Sequence, residues 1–147
     1  MSFKNILVPH DFTDFGDLAF EKALMIAKKF NSKLILITVV GSNVDTSGMS
    51  LSRAQEALDE SEDKAIKELN KKKNLVKDKN IDITVEVIHN PSSVDGIISF
   101  AKKNNVDLVA IGSHGRKGFK KLVLGSVASG VATKSNCPVL IVKKQEK

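Results

Sequence analysis

The feature that most constrains this chain is an alternation. Five short runs of aliphatic and β-branched residues are separated by longer stretches in which apolar residues recur at helical spacing. The first run, Phe3-Lys4-Asn5-Ile6-Leu7-Val8, ends at Pro9. Thr13-Asp14 follows as a helix start signal, and Ala19, Ala23, Ile26, Ala27 and Phe30 then share one helical face up to Asn31-Ser32. Leu34 to Val40 is almost continuously apolar, as a strand covered on both faces requires. Residues 41–50 are rich in Gly, Ser, Asn, Asp and Thr and read as a loop. Leu51 to about Lys79 reads as one long helix. Leu51, Ala54, Leu58, Ala65, Leu69 and Val76 form its stripe, and Glu60–Lys64, Asp63–Lys67 and Glu68–Lys72 are acid-first i,i+4 pairs.

Ile81 to Ile88 alternates apolar and polar residues, the pattern of a half-exposed strand. Asn90-Pro91-Ser92 turns the chain into a helix with Val94, Ile97, Ile98 and Ala101 on its apolar face. Val106 to Ile111 is a fourth strand, Gly112 to Leu124 a glycine-bearing loop, Ser126 to Ser135 a short helix packing through Ala128, Val131 and Ala132, and Pro138 to Val142 a fifth strand. Strand and helix in strict alternation predict an α/β fold with an open parallel sheet, helices on both faces and right-handed crossovers. Such sheets take ligands beyond the carboxyl ends of their strands, at the point where the strand order reverses. The residues after each strand are therefore the ones to inspect.

Composition narrows the function classes. The 147 residues fit one domain over 1–147, without repeat or linker. No apolar run approaches the roughly 18 residues a membrane span needs. Met1-Ser2-Phe3-Lys4-Asn5 runs directly into a strand without the layout of a signal peptide, so a cytoplasmic setting is expected. A single cysteine, Cys137, allows no internal disulfide and reads as a small buried residue beside Pro138. The net charge of +6 is concentrated in Lys71, Lys72, Lys73, Lys77, Lys79 and the tail lysines 143, 144 and 147. With no Trp or Tyr, a basic patch interleaved with aromatics is missing. These lysines read as a solvated surface, with neither a specific nucleic acid nor a membrane as partner.

The richest signal follows the fourth strand: Gly112-Ser113-His114-Gly115, nine residues, then Gly125-Ser126. Gly112 and Gly115 lack Cβ atoms and let backbone turn tightly and approach a ligand. Gly125-Ser126 opens a helix whose first N–H groups have no internal partner, a natural phosphate site. Spacing alone supports equally two glycine turns with an ordinary Ser cap. Position beyond a strand of a parallel sheet favours the anion cradle.

Gly-x-x-Gly, nine residues and Gly-Ser resemble the nucleotide-binding motif of the universal stress protein family. The opening Ile6-Leu7-Val8-Pro9-His10-Asp11 and the closing Cys137-Pro138-Val139-Leu140-Ile141-Val142 are similar to that family as well. The resemblance runs the length of the chain. It implies a sheet of order 3-2-1-4-5, an adenine nucleotide ligand (ATP or AMP, with or without Mg2+) and a homodimer. It also implies residue roles. Asp11 matches the acid that contacts the ribose and adenine side, with Pro9 and His10 in the same turn. Val39 matches the residue whose backbone reads the adenine edge. Ile111, Gly112, His114 and Gly115 match the first half of the phosphate and ribose loop, and Gly125, Ser126 and Val127 the second. Ala128 departs from the pattern, standing where nucleotide-binding members carry a hydroxyl. His114, flanked by glycines, reads as a phosphate contact or a solvated side chain; His89 reads as surface.

No Walker-type Gly-x-x-x-x-Gly-Lys is present, and the first strand leads into Pro9-His10-Asp11 instead of Gly-x-Gly-x-x-Gly. No residue stands out as a general base, which favours a binding module over a slow ATPase or phosphotransferase. Without Ala128's hydroxyl, a scaffold without nucleotide affinity is the other alternative. The fifth strand, Pro138 to Val142, lies on an edge in the implied order; with no charge until Lys143 it is the expected dimer contact.

Overall fold

The computed structural model describes residues 3–41, 45–115 and 123–145. Strand β1 (Asn5–Pro9) leads to helix α1 (Asp14–Phe30). Strand β2 (Lys33–Val40) leads to α2 (Leu51–Asn74) and β3 (Ile83–His89), and then α3 (Ser93–Lys103), β4 (Leu108–Gly112), α4 (Ser126–Lys134) and β5 (Val139–Val142) complete the series. The strands form one sheet of order β3-β2-β1-β4-β5, and every pair is parallel. Register places Pro9 beside Ile37, Leu7 beside Val109, and Gly112 beside Val142. The order reverses between β1 and β4, so the switch point opens above Pro9 and Gly112.

Strand periodicity sorts the core into two layers. Ile6, Val8, Leu34, Leu36, Leu108 and Ala110 point toward α1 and α2, where Ala19, Phe20, Ala23 and Leu69 meet them. Leu7, Ile35, Ile37, Val109 and Ile111 point to the other face, against Ile97, Phe100 and Ala101 of α3 and Ala128 and Val131 of α4. Side-chain caps start α1 (Thr13 to the Gly16 N–H), α2 (Ser50 to Arg53) and α3 (Ser92 to Asp95); α4 begins at Gly125 with no side-chain cap. Among the described residues no helix is long and apolar enough to cross a membrane.

Several expectations need correction. Helix α2 stops at Asn74; a 3-10 turn, Lys77–Lys79, and a left-handed Asn80 (φ 55) redirect the chain into β3, which starts at Ile83 instead of Ile81. The predicted stripe is buried only at Ala65 and Leu69, while Leu51 is 93% exposed. Lys72 leaves Glu68 for Asp17 on α1 (2.7 Å), and Glu68 pairs with Lys71 instead (3.1 Å). His89 is exposed, as a surface residue should be, and pairs there with Glu62 at 2.8 Å. Cys137 is half-buried and bonded through its backbone to Ser135.

Candidate functional site

A cleft of about 970 Å³ lies over the carboxyl ends of the strands. Its lining includes Pro9, His10, Asp11, Val39, Ile111, Gly112, His114, Gly115, Gly125, Ser126 and Val127, so every residue singled out in the sequence reaches one opening. Its volume is that of a small-molecule site.

One wall is the turn between β1 and α1, and side chains build it. His10 is buried; its backbone N–H donates to the Ile37 carbonyl (2.7 Å), extending the β1–β2 ladder by one bond. Its ring Nδ1 accepts the Phe12 N–H (2.8 Å), which fixes the other nitrogen, Nε2, as the donor to Asp17 Oδ1 (2.9 Å). Phe12 sits at φ 66, a left-handed conformation rare for so bulky a residue. Asp11 Oδ1 accepts both the N–H (3.1 Å) and the hydroxyl (2.6 Å) of Thr13, which itself caps α1. Burial pushes the His10 pKa below its ordinary value, against the pull of the Asp17 carboxylate. For Asp17 burial pushes upward, but the hydrogen bonds from Lys72 and His10 prevail and hold it below the usual carboxylate value.

The opposite wall, between β4 and α4, is built by backbone. A Cβ at Gly112 would lie 2.7 Å from the Phe15 carbonyl oxygen, and one at Gly125 would lie 2.8 Å from the Ser113 carbonyl oxygen. Both positions are therefore emptied for chain passing chain, a correction to the expectation that Gly112 is spared a side chain for the ligand's sake. Gly115 differs. Its missing Cβ would meet Asp11 Oδ2 at 2.7 Å, so the carboxylate packs directly against this glycine where the two walls meet. The Gly125 N–H donates to the Ser113 carbonyl (2.8 Å), drawing the start of α4 onto the end of β4. Without a capping side chain, the amides of Ser126, Val127 and Ala128 at the start of α4 have no intrahelical acceptor.

Of the two readings open for His114, the solvated side chain is overturned. The residue is buried, with Nδ1 2.9 Å from the Ser113 hydroxyl, Nε2 donating to the Val123 carbonyl, and its ring 5.3 Å from that of Phe15. Both cleft histidines thus spend their ring nitrogens on the protein. Ala128 lines the cleft as well, but it is 2% exposed and packs with the α3–α4 core layer. Arg116, Lys117, Lys120 and Lys121, which the sequence offers equally as screens of a triphosphate, parts of a lid or a solvated loop, lie outside the described residues.

The sequence reading missed two walls. Ser61, Lys64, Ala65 and Glu68 of α2 reach the cleft, as do Pro91 to Val94 and Ile97 at the start of α3. The i,i+3,i+4 spacing of Ser61, Lys64 and Ala65 marks one helical face. Which way that face points depends on the crossover after β2, and nothing local encodes it.

Fold and cleft together define a doubly wound α/β domain with its ligand site at the switch point, one wall ending in an open helix start. The profile of the universal stress protein family matches residues 2–143, and the chain belongs to that family. Universal stress protein MJ0531 of Methanocaldococcus jannaschii is 31% identical over 146 residues, which cover 99% of this chain and 85% of the relative. Among solved structures, universal stress protein UspA from Lactobacillus plantarum superposes with a TM-score of 0.86 at 24% identity, covering 97% of this chain and 99% of the other. A universal stress protein crystallised in complex with cAMP superposes with a TM-score of 0.63 at 26% identity, covering 97% and 98%.

Proposed function

We propose that this chain is an adenine-nucleotide-binding module whose ligand, ATP or AMP, lies across the switch-point cleft. The observation that carries the reading is the uncapped start of α4 facing Asp11 and Gly115 across one opening. Helix-start amides and the positive end of the helix dipole suit a phosphate, and a carboxylate suits the hydroxyls of a ribose. The complex of a relative with cAMP, itself an adenine nucleotide, supports the same ligand class.

In this reading the base lies by Val39, where its edge reaches backbone at the end of β2. The ribose lies by Asp11 in the turn of Pro9 and His10. The phosphates run between Ile111, Gly112, His114 and Gly115 on one side and Gly125, Ser126 and Val127 on the other. His10 and His114 act through backbone and as supports, since their rings are already engaged. Each of these groups holds or orients the ligand, and none is placed as a general base, so binding and not turnover is the role, within the cytoplasmic stress signalling typical of the family. Calorimetric titration with ATP, AMP and adenosine, together with analysis of nucleotide released on denaturing the purified protein, tests the proposal. Saturable binding of AMP or ATP at a 1:1 ratio is the expected result; steady phosphate release from ATP and magnesium would move the reading to an ATPase.

The proposal includes a homodimer through β5. This edge strand leaves Val139, Leu140 and Ile141 half-buried, with Leu140 leaning on one core layer and Val139 and Ile141 on the other. Its free edge offers a second copy unpaired backbone groups. Sedimentation at micromolar concentration is expected to give twice the 16.0 kDa of one chain; a persistent monomer mass would remove the dimer and leave the nucleotide site standing.

A further inference from the structure

We propose that His10 is a positioning residue that couples helix α2 to the Asp11 turn, so that nucleotide is bound only while its ring is neutral. The inference rests on the nucleotide reading above and adds to it a control built into the same site.

The geometry is a continuous relay. Lys72 Nζ on α2 lies 2.7 Å from Asp17 Oδ1 on α1, and the same oxygen accepts from His10 Nε2 at 2.9 Å. The other ring nitrogen accepts the N–H of Phe12, two residues on. That bond holds Phe12 in its left-handed conformation, and the turn it closes carries Asp11 toward Gly115. Space is fitted to the ring as well: a Cβ at Gly16 would lie 2.8 Å from two of its atoms, so only glycine at that point of α1 leaves room for it. The relay therefore joins α2 to the β1–α1 turn across 55 residues of sequence and ends on the Phe12 N–H, next in the chain to the carboxylate proposed to hold the ribose.

A neutral ring satisfies both neighbours, donating at Nε2 and accepting at Nδ1. Protonation places a hydrogen on Nδ1, where the Phe12 N–H already points. Two donors then face each other in a buried space, and the turn must open. The charged groups around the ring are Asp17 on α1, Lys72 on α2 and Asp11 in the turn. Burial and Lys72 disfavour the proton, while Asp17 and Asp11 favour it. Because the folded protein holds the proton off to a lower pH than the unfolded chain does, stability falls as pH drops from the ordinary histidine value through the folded one, and is flat below. Ligand that requires the neutral ring loses affinity once pH falls through the folded value, by roughly tenfold per pH unit.

The test uses adenosine, which carries no phosphate proton, in calorimetry from neutral to mildly acid pH. His10→Asn keeps an acceptor for Phe12 and is expected to bind within about threefold of wild type at neutral pH, with no loss on acidification. His10→Gln reaches Asp17 but loses that acceptor and is expected to bind roughly tenfold more weakly at neutral pH. Lys72→Met, which does not line the cleft, is expected to move the acid loss toward neutral pH, and it keeps the test open if His10→Gln fails to fold. Ring 15N shifts of the ligand-free wild type are expected to report the neutral tautomer with the proton on Nε2. Equal affinity and equal pH dependence across these variants at matched circular dichroism, or an Nδ1-protonated tautomer, overturns the proposal and leaves the nucleotide reading intact. Failure of wild type to bind adenosine or ATP at neutral pH overturns the nucleotide reading and this proposal with it.

Discussion

Two facing walls of the cleft are made in opposite ways. The turn after β1 is shaped by side-chain hydrogen bonds: His10 to Phe12 and Asp17, Asp11 to Thr13, Thr13 to Gly16. The crossing of β4 and α4 is shaped by backbone passing backbone, at Gly112 over Phe15 and Gly125 over Ser113. The first wall responds to protons and to loss of polar atoms. The second responds to added carbon. A ligand spanning both would feel each kind of change at a different end.

The largest expected effect lies on the backbone-built wall. Gly112→Ala puts a Cβ 2.7 Å from the Phe15 carbonyl oxygen, and helix α1 must give way. A stability loss of about 1–3 kcal/mol is expected, read as a lower denaturant midpoint at unchanged slope. A neutral result would mean that α1 slides freely over β4 and would blur the contrast between the walls.

Gly115→Val comes next, and it touches the one place where the walls meet. The nearest obstacle is the end of a side chain, Asp11 Oδ2. The fold is expected to persist by circular dichroism while nucleotide affinity falls at least roughly tenfold, the equivalent of about 1.4 kcal/mol. In the Asp11→Ala background the same substitution is expected to cost less, because the atom it strikes is gone; strict additivity would place the two residues in separate roles.

Asp11→Ala alone removes two hydrogen bonds to Thr13 and should lower stability by about 1 kcal/mol. If the carboxylate works on the ribose, adenosine and ATP weaken by similar factors in calorimetry. Loss confined to ATP would move Asp11 to the phosphate end.

The smallest effect concerns Ala128. The family resemblance implies a missing phosphate hydroxyl at this position. Ala128 lines the cleft but is almost wholly buried in the α3–α4 core layer, so a hydroxyl there meets mainly apolar neighbours. Ala128→Ser is expected to lower stability by about 1 kcal/mol and to leave affinity nearly unchanged. A clear gain in affinity would show that the first turn of α4 rotates toward the ligand.

How much of this was legible in the sequence follows the range of the interactions. Strand and helix alternation is written in local periodicity, so the element order could be read directly, and the family resemblance supplied the strand order that the sheet adopts. The glycines at 112, 115 and 125 were visible as a spacing. The physical reasons for Gly112 and Gly115 were not, because the Phe15 carbonyl and the Asp11 carboxylate that fill the missing Cβ positions come from a segment about a hundred residues earlier in the chain. The link of Lys72 through Asp17 to His10 was hidden for the same reason: it depends on α1 and α2 lying side by side on one face of the sheet. His114 misled because glycine neighbours suggested a loop in water, while the tie to Val123 buries it. The early end of α2 was hidden by a helical composition that continues to Lys79, past the point where the 3-10 turn takes over.

The central claim is that an adenine nucleotide lies between the two walls. Titration of 15N-labelled protein with AMP, followed by amide chemical shifts, tests it most directly. The account predicts that the largest and earliest changes fall on Asp11, Val39, Gly112, Gly115, Ser126 and Val127, on both walls together. Changes confined to the lysine-rich end of α2, or none at millimolar AMP and ATP, would contradict it.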